Sequence, residues 1–160
     1  MYCDFVLMEK NEEAEKFGRE LGFGKIYFRE DFENFGIVLS KDYTADRSLV
    51  EKRKLKILVN PHVNNLRDSL HFRSSGLNHV LCKLCYENNV SVGFSLDSVL
   101  DAKLLGRIKQ NIKLCRKYKI RMRFFSFAKN KFEMRGREDM LAFLRSIGMT
   151  GKEAKDALSC

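Results

Sequence analysis

The sequence predicts an α/β fold built on a parallel sheet. Short apolar runs of strand length alternate with amphipathic stretches in which apolar residues recur at three- and four-residue spacing. Strands separated by helices must be joined by crossover connections, and crossovers put consecutive strands parallel. A length of 160 residues, 44% hydrophobic content and one proline fit a single folded domain over residues 1–160, not a disordered chain.

The elements follow in order. Residues 2–8 form a strand around Phe5, Val6 and Leu7. Residues 12–21 form a helix with Ala14, Phe17 and Leu21 on one face, capped by Asn11 and ended by Gly22. Strands follow at 25–28, 36–39 and 56–59; the charged stretch before the last of these is compatible with a helix, and Asn60-Pro61 stops the strand. Leu77, Val80, Leu81, Leu84 and Cys85 mark one face of a helix that ends at Asn88-Asn89, and a strand occupies 90–96. The longest helix, 102–119, carries Leu104, Leu105, Ile108, Ile112 and Cys115 as its buried stripe. A sixth strand at 120–127 and helices at 138–147 and 152–158 complete the chain.

Charge is distributed unevenly. Residues 1–48 hold 11 acids against 7 bases, whereas 103–137 hold 13 bases and only Glu133 as an acid. Such a single-sign field favours a polyanionic partner, nucleic acid first, because Lys and Arg displace the counterions condensed on phosphates. Lys103, Arg107, Lys113, Arg116 and Lys117 are expected to lie away from the apolar stripe of helix 102–119. Lys129, Lys131, Arg135 and Arg137 are expected in a loop on the rim formed by the C-terminal strand ends. Phe124, Phe125 and Phe127 read as core residues before they read as base-stacking ones. A basic rim of this kind suits RNA, which is read mainly by shape and phosphate.

Catalytic constellations are sparse. Cys82-x-x-Cys85 lies mid-helix without the second ligand pair that a structural zinc site needs, and both cysteines suit a core. His62, His71 and His79 form no metal-ligand pattern, although His62 follows a strand end, where barrel enzymes place functional groups. Asp42, Asp97 and Asp101 lie near strand ends without a pairing partner. Glycine-rich phosphate loops and a serine-nucleophile elbow are missing. No apolar run approaches a membrane span and no signal-peptide pattern opens the chain; five cysteines, an odd number, point to reduced thiols and a cytoplasmic protein.

From Gly76-Leu77-Asn78-His79-Val80-Leu81-Cys82-Lys83-Leu84 through Asn88-Asn89-Val90 and Gly93-Phe94-Ser95-Leu96, the chain resembles the ribonuclease P protein component 3 family, archaeal homologues of a eukaryotic nuclear ribonuclease P subunit. The resemblance continues at Asn111, Lys117-Tyr118, Ser126-x-Ala128, Glu133-Met134-Arg135-Gly136, Ile147-Gly148-Met149 and Ala157-Leu158-Ser159, covering residues 56–160. The family commonly has proline after the Arg-Gly pair, where this chain has Arg137, and its members are generally longer. The resemblance implies a TIM-type barrel. Since eight complete units need about 200 residues or more, this one is expected to be compressed or incomplete.

The resemblance also implies a function: a subunit of the ribonucleoprotein that removes the 5′ leader from precursor tRNA. Catalysis and magnesium would reside in the RNA, and this chain would bring no catalytic residue, metal or cofactor of its own. The implied partners are ribonuclease P RNA, precursor tRNA and another small protein subunit, with no membrane. The residues expected to contact RNA are Arg73, Asn78, His79, Arg107, Lys113, Lys129, Arg135 and Arg137; for Arg135 a loop-fixing hydrogen bond and for Asn78 a helix cap are equal alternatives. Two other readings remain. A metal-dependent phosphoester hydrolase on a related barrel requires three or more of His62, His71, His79, Asp97 and Asp101 to converge. A general RNA chaperone would use the same basic face.

Overall fold

The computed structural model describes all residues of the chain except 65, 66, 69, 72 and 100. Its elements are β1 (Cys3–Phe5), α1 (Glu12–Glu20), β2 (Lys25–Tyr27), β3 (Ile37–Leu39), α2 (Tyr43–Glu51), β4 (Ile57–Val59), α3 (His79–Glu87), β5 (Ser91–Ser95), α4 (Ala102–Tyr118), β6 (Met122–Phe125), α5 (Arg137–Ser146) and α6 (Gly151–Ala157). The charged stretch before β4 is a helix, α2. Side-chain caps hold most helix starts: Asn11, Asp42, Asn78, Asp101 and Thr150 each accept a hydrogen bond from a first-turn N–H.

Every registered strand pair is parallel, β1 with β2 and β3-β4-β5-β6 in that order. The two sheets meet just beyond β6, where the Phe127 N–H donates to the Phe5 carbonyl at 3.0 Å and the Leu7 N–H to the Ala128 carbonyl at 2.9 Å. The strands thus run β2-β1-β6-β5-β4-β3 around a common interior, a TIM-barrel-like arrangement. It is compressed as expected: β2 and β3 are joined by a single 3₁₀ turn, Arg29–Asp31, where a full unit would place a helix.

Alternation along the strands separates two apolar layers. Val6, Ile26, Phe28, Leu58, Val92, Phe94 and Phe124 face the helices and join the larger core. Cys3, Phe5, Ile37, Ile57, Val59, Phe125 and Phe127 face inward, joined by Tyr27, Phe32 and Phe35. Phe32 and Phe35 come from the β2–β3 connection, so the segment that lacks a helix supplies aromatic filling for the interior. Phe5 lies 5.0 Å from Phe125 and 5.1 Å from Phe35, ring centre to ring centre. The strand phenylalanines Phe124, Phe125 and Phe127 are all core residues.

The chain ends meet. Tyr2 bridges Ser159, the Cys3 N–H donates to the Leu158 carbonyl, and Cys3 is joined to Cys160 in a disulfide with Cα atoms 5.6 Å apart. The expectation of five reduced thiols is therefore corrected: only Cys82, Cys85 and Cys115 are free, all buried. An odd count reveals nothing about which two cysteines folding brings together. Burial raises the Cys82 thiol to about 11 and the Cys85 thiol to about 12.

Candidate nucleic-acid interface

The C-terminal ends of the strands, where barrel enzymes gather their chemistry, are tied together by internal hydrogen bonds. Asn60, in the left-handed region at φ 56°, accepts from the Ser95 N–H at 2.9 Å and donates to Ser95 Oγ at 2.6 Å. Ser95 Oγ donates to Asp97, and Ser40 Oγ donates to Asp46 while accepting from Asn64. His62 is fully buried, its Nε2 2.9 Å from Ser98 Oγ. Ser98 gives its one hydroxyl proton to the Ser95 carbonyl, so Nε2 must carry the imidazole proton and donate. Burial, then the Arg107 charge, lowers the His62 pKa to about 4, so the ring is neutral at neutral pH.

The condition for the hydrolase reading is not met. Among the described residues no three His, Cys, Asp or Glu side chains converge as metal ligands. His71 and His79 are exposed, Asp42 and Asp101 are helix caps, and Asp97 is held by Ser95.

The eight expected RNA contacts fall into two groups. Arg107 is a correction in placement: only 2% exposed, it belongs to the buried face of α4 with Ile108 and Asn111. Its guanidinium donates to the carbonyls of His62 and Asn64 and to Asp68 at 3.0 Å, clasping the segment between β4 and α3. Charge alone predicts outward orientation, but the carbonyls left free after a strand end attract a buried donor equally well. Asn78 caps α3 through the Leu81 N–H at 2.9 Å. Arg135 donates to the carbonyls of Phe132 and Met134, Arg137 pairs with Glu138 and lies over the Tyr2 ring at 5.0 Å. Arg73, His79, Lys113 and Lys129 are exposed, with Arg73 lying against Gly106 of α4.

The segment after β6 does not stay on the C-terminal rim. It descends beside α1: Lys131 pairs with Glu13, Met134 reaches Gly18, and the Arg137 N–H donates to the Leu21 carbonyl at 2.9 Å. Part of the acidic first third is thus matched by the chain's own basic segment. Lys119, Arg121 and Arg123, which the expected contacts do not include, lie instead at the N-terminal edge of the sheet. The signal was available: cations directly preceding or opening a strand occupy that edge. Burial, then the Arg121 charge, pulls Arg123 below the usual arginine range.

Fold and surface together define a TIM-barrel-like α/β protein with a strongly cationic exterior and strand ends sealed by their own hydrogen bonds. Residues 47–160 match the family described as RNase P subunit p30, and the chain belongs to that family. Ribonuclease P protein component 3 of Methanosarcina acetivorans is 37% identical over 108 residues, 64% of this chain and 45% of the relative. That of Methanococcoides burtonii is 32% identical over 124 residues, 74% of this chain and 48% of the relative. The chain spans about half the length of the curated relatives it matches. A chain in the cryo-EM structure of archaeal ribonuclease P with mature tRNA shares the fold, with TM-score 0.73 and 21% identity over 97% of this chain and 86% of that one.

Proposed function

We propose that this chain is a protein subunit of ribonuclease P, supporting the RNA that removes the 5′ leader from precursor tRNA. The observation that carries the reading is the family match over residues 47–160, which contain the surplus of positive charge. Catalysis belongs to the RNA in this reading, with magnesium bound there, and the protein works with a second small protein subunit in the cytoplasm. Arg73, His79, Lys113 and Lys129 contact phosphates; Arg135 and Arg137 do so with the donors their internal bonds leave over. Arg107 and Asn78 act by holding the loop before α3 and its first turn. No helix among the described residues is long and apolar enough to cross a membrane.

Reconstitution tests the proposal. Cognate ribonuclease P RNA, the remaining protein subunits, magnesium and precursor tRNA are combined with and without this protein. Leader cleavage should require less magnesium or proceed faster in its presence; identical cleavage across magnesium and salt concentrations overturns the reading.

A further inference from the structure

Two hollows open side by side at the N-terminal edge of β6 and share Lys119, Ile120 and Arg121. The larger, about 520 Å³, adds Arg116, Arg123, Glu153 and Asp156. The smaller, about 290 Å³, adds Tyr86 and Asn89 and is lined by no carboxylate. Lys119 closes α4 in the left-handed region at φ 58°, which turns the chain sharply into β6 and leaves Lys119 and Arg121 both exposed.

Lys119 and Arg121 have no carboxylate within ion-pair distance among the described residues, and Arg123 feels only the more distant Asp156. By contrast Arg107 and Arg137 of the expected site, and Lys131, each meet a carboxylate. Among the described residues neither Lys119, Arg121 nor Arg123 forms an ion pair, and Glu153 is occupied by Arg116 through bonds of 2.8 and 2.7 Å. Arg123 sits half-buried beside Arg121; burial and the Arg121 charge outweigh the attraction of Asp156, so a further anion there would be favourable. Beside them Tyr86 is 56% exposed on the last turn of α3, an aromatic face open to solvent next to the Asn89 amide. Cations lining a groove with an exposed ring along it are what a nucleic-acid strand with unpaired bases requires. An acidic peptide would need the charges alone.

We infer that this groove binds a single-stranded segment of RNA, its phosphates on Lys119, Arg121 and Arg123 and an unpaired base on Tyr86. It rests on the ribonuclease P reading for the identity of the RNA and places a contact on the end of the barrel opposite the strand termini where barrel chemistry is usually found.

The test is fluorescence anisotropy with a labelled 12-nucleotide oligouridylate over a range of salt. The full chain is compared with Lys119→Asn/Arg121→Gln, with Tyr86→Ala, and with Lys10→Gln/Lys16→Gln as an equal charge loss elsewhere; asparagine suits the backbone at 119. The first variant should lower the slope of log K against log salt by about 1.4, since each single-strand phosphate contact contributes about 0.7. Tyr86→Ala should weaken binding by about tenfold with the slope unchanged. The control pair should leave the slope within about 0.3 of the parent, because distant charges release no bound counterions. An unchanged slope in the first variant, or equal slope losses in it and the control, overturns the groove. Unchanged affinity in Tyr86→Ala overturns the single-strand contact. If reconstitution fails while these shifts appear, the ribonuclease P reading falls and the groove stands; if reconstitution succeeds without them, the reverse holds.

Discussion

Arg107 and Asp68 face each other at 3.0 Å, the arginine side chain 3% exposed and the aspartate 30%. The same guanidinium holds the His62 carbonyl at 3.2 Å. This arginine joins α4 to the segment that follows β4, and its removal leaves the buried His62 carbonyl without this donor. Arg107→Ala should cost about 2–4 kcal/mol in urea unfolding, the range for breaking a buried charged hydrogen-bond network. Its effect on RNA affinity should vanish when folded protein alone is counted, with the salt slope unaltered. A slope lower by about one at unchanged stability would make Arg107 a phosphate contact.

Gly93 and Phe125 share the barrel interior. A Cβ added at Gly93 would lie 2.9 Å from the Phe125 ring and 3.0 Å from Val59 Cγ2, closer than packed atoms allow. Gly93→Ala should therefore destabilise by about 1–3 kcal/mol through overpacking. Adding Phe125→Leu should recover part of that loss, giving a coupling energy of about 1 kcal/mol in a double-mutant cycle. Simple addition of the two losses would show that the interior relaxes without contact between them.

The fold was largely legible because burial and periodicity report the same thing: Ile108, Ile112 and Cys115 recur at helical spacing and all three are buried. Missing from the sequence was the path of chain without periodicity. Nothing in Lys131-Phe132-Glu133 shows that this stretch runs beside α1, because its partner, Glu13, lies 118 residues away. The expected site suffered for the same reason. A charged side chain is recognised by type, but whether its partner is a phosphate, a carboxylate or a carbonyl is set by tertiary contacts. Arg107 and Arg121 look alike in sequence; one donates to the His62 and Asn64 carbonyls and to Asp68, and the other is exposed.

The cysteines give a count that a thiol reagent reads directly. Unfolded, unreduced protein should show three titratable thiols, those of Cys82, Cys85 and Cys115, and five after reduction. In the folded state at pH 8 these three should react slowly, since burial holds their thiols well above the usual range and leaves little thiolate. Five thiols without reductant would separate Cys3 from Cys160.

His62 should make the fold acid-sensitive. Its folded pKa of about 4 lies below the usual 6.5, so the unfolded chain binds a proton that the folded one refuses. Stability is then complete above pH 6.5 and falls as pH drops toward 4, by about 3 kcal/mol at 1.36 kcal/mol per unit. His62→Gln, which keeps an N–H for Ser98, should gain stability relative to the parent over that interval. Parallel curves for the two proteins would place the acid transition elsewhere.

Asp4 works in the opposite direction. It is completely buried in β1, its Oδ1 accepting from the N–H groups of Phe5 at 2.9 Å and Ser126 at 2.8 Å, while Oδ2 has no hydrogen-bond partner among the described residues. Burial outweighs those bonds and raises its pKa from 3.8 to about 6. The folded state holds the proton more tightly than the unfolded one. The stability this contributes is fully present below pH 3.8 and is lost as pH rises through about 6. Asp4→Asn keeps the Oδ1 acceptor and removes the titration. Whatever the two proteins' difference at pH 4, it should shift in favour of the variant by about 3 kcal/mol by pH 8, reading the shift at 1.36 kcal/mol per unit. Since Oδ1 bonds the chain just past β6 to β1, the same shift should appear in amide exchange at Ser126, protected more strongly below pH 5 than above pH 7 once intrinsic rates are divided out. A pH-independent difference in both measurements would mean that Asp4 finds a second donor for Oδ2 and stays ionised.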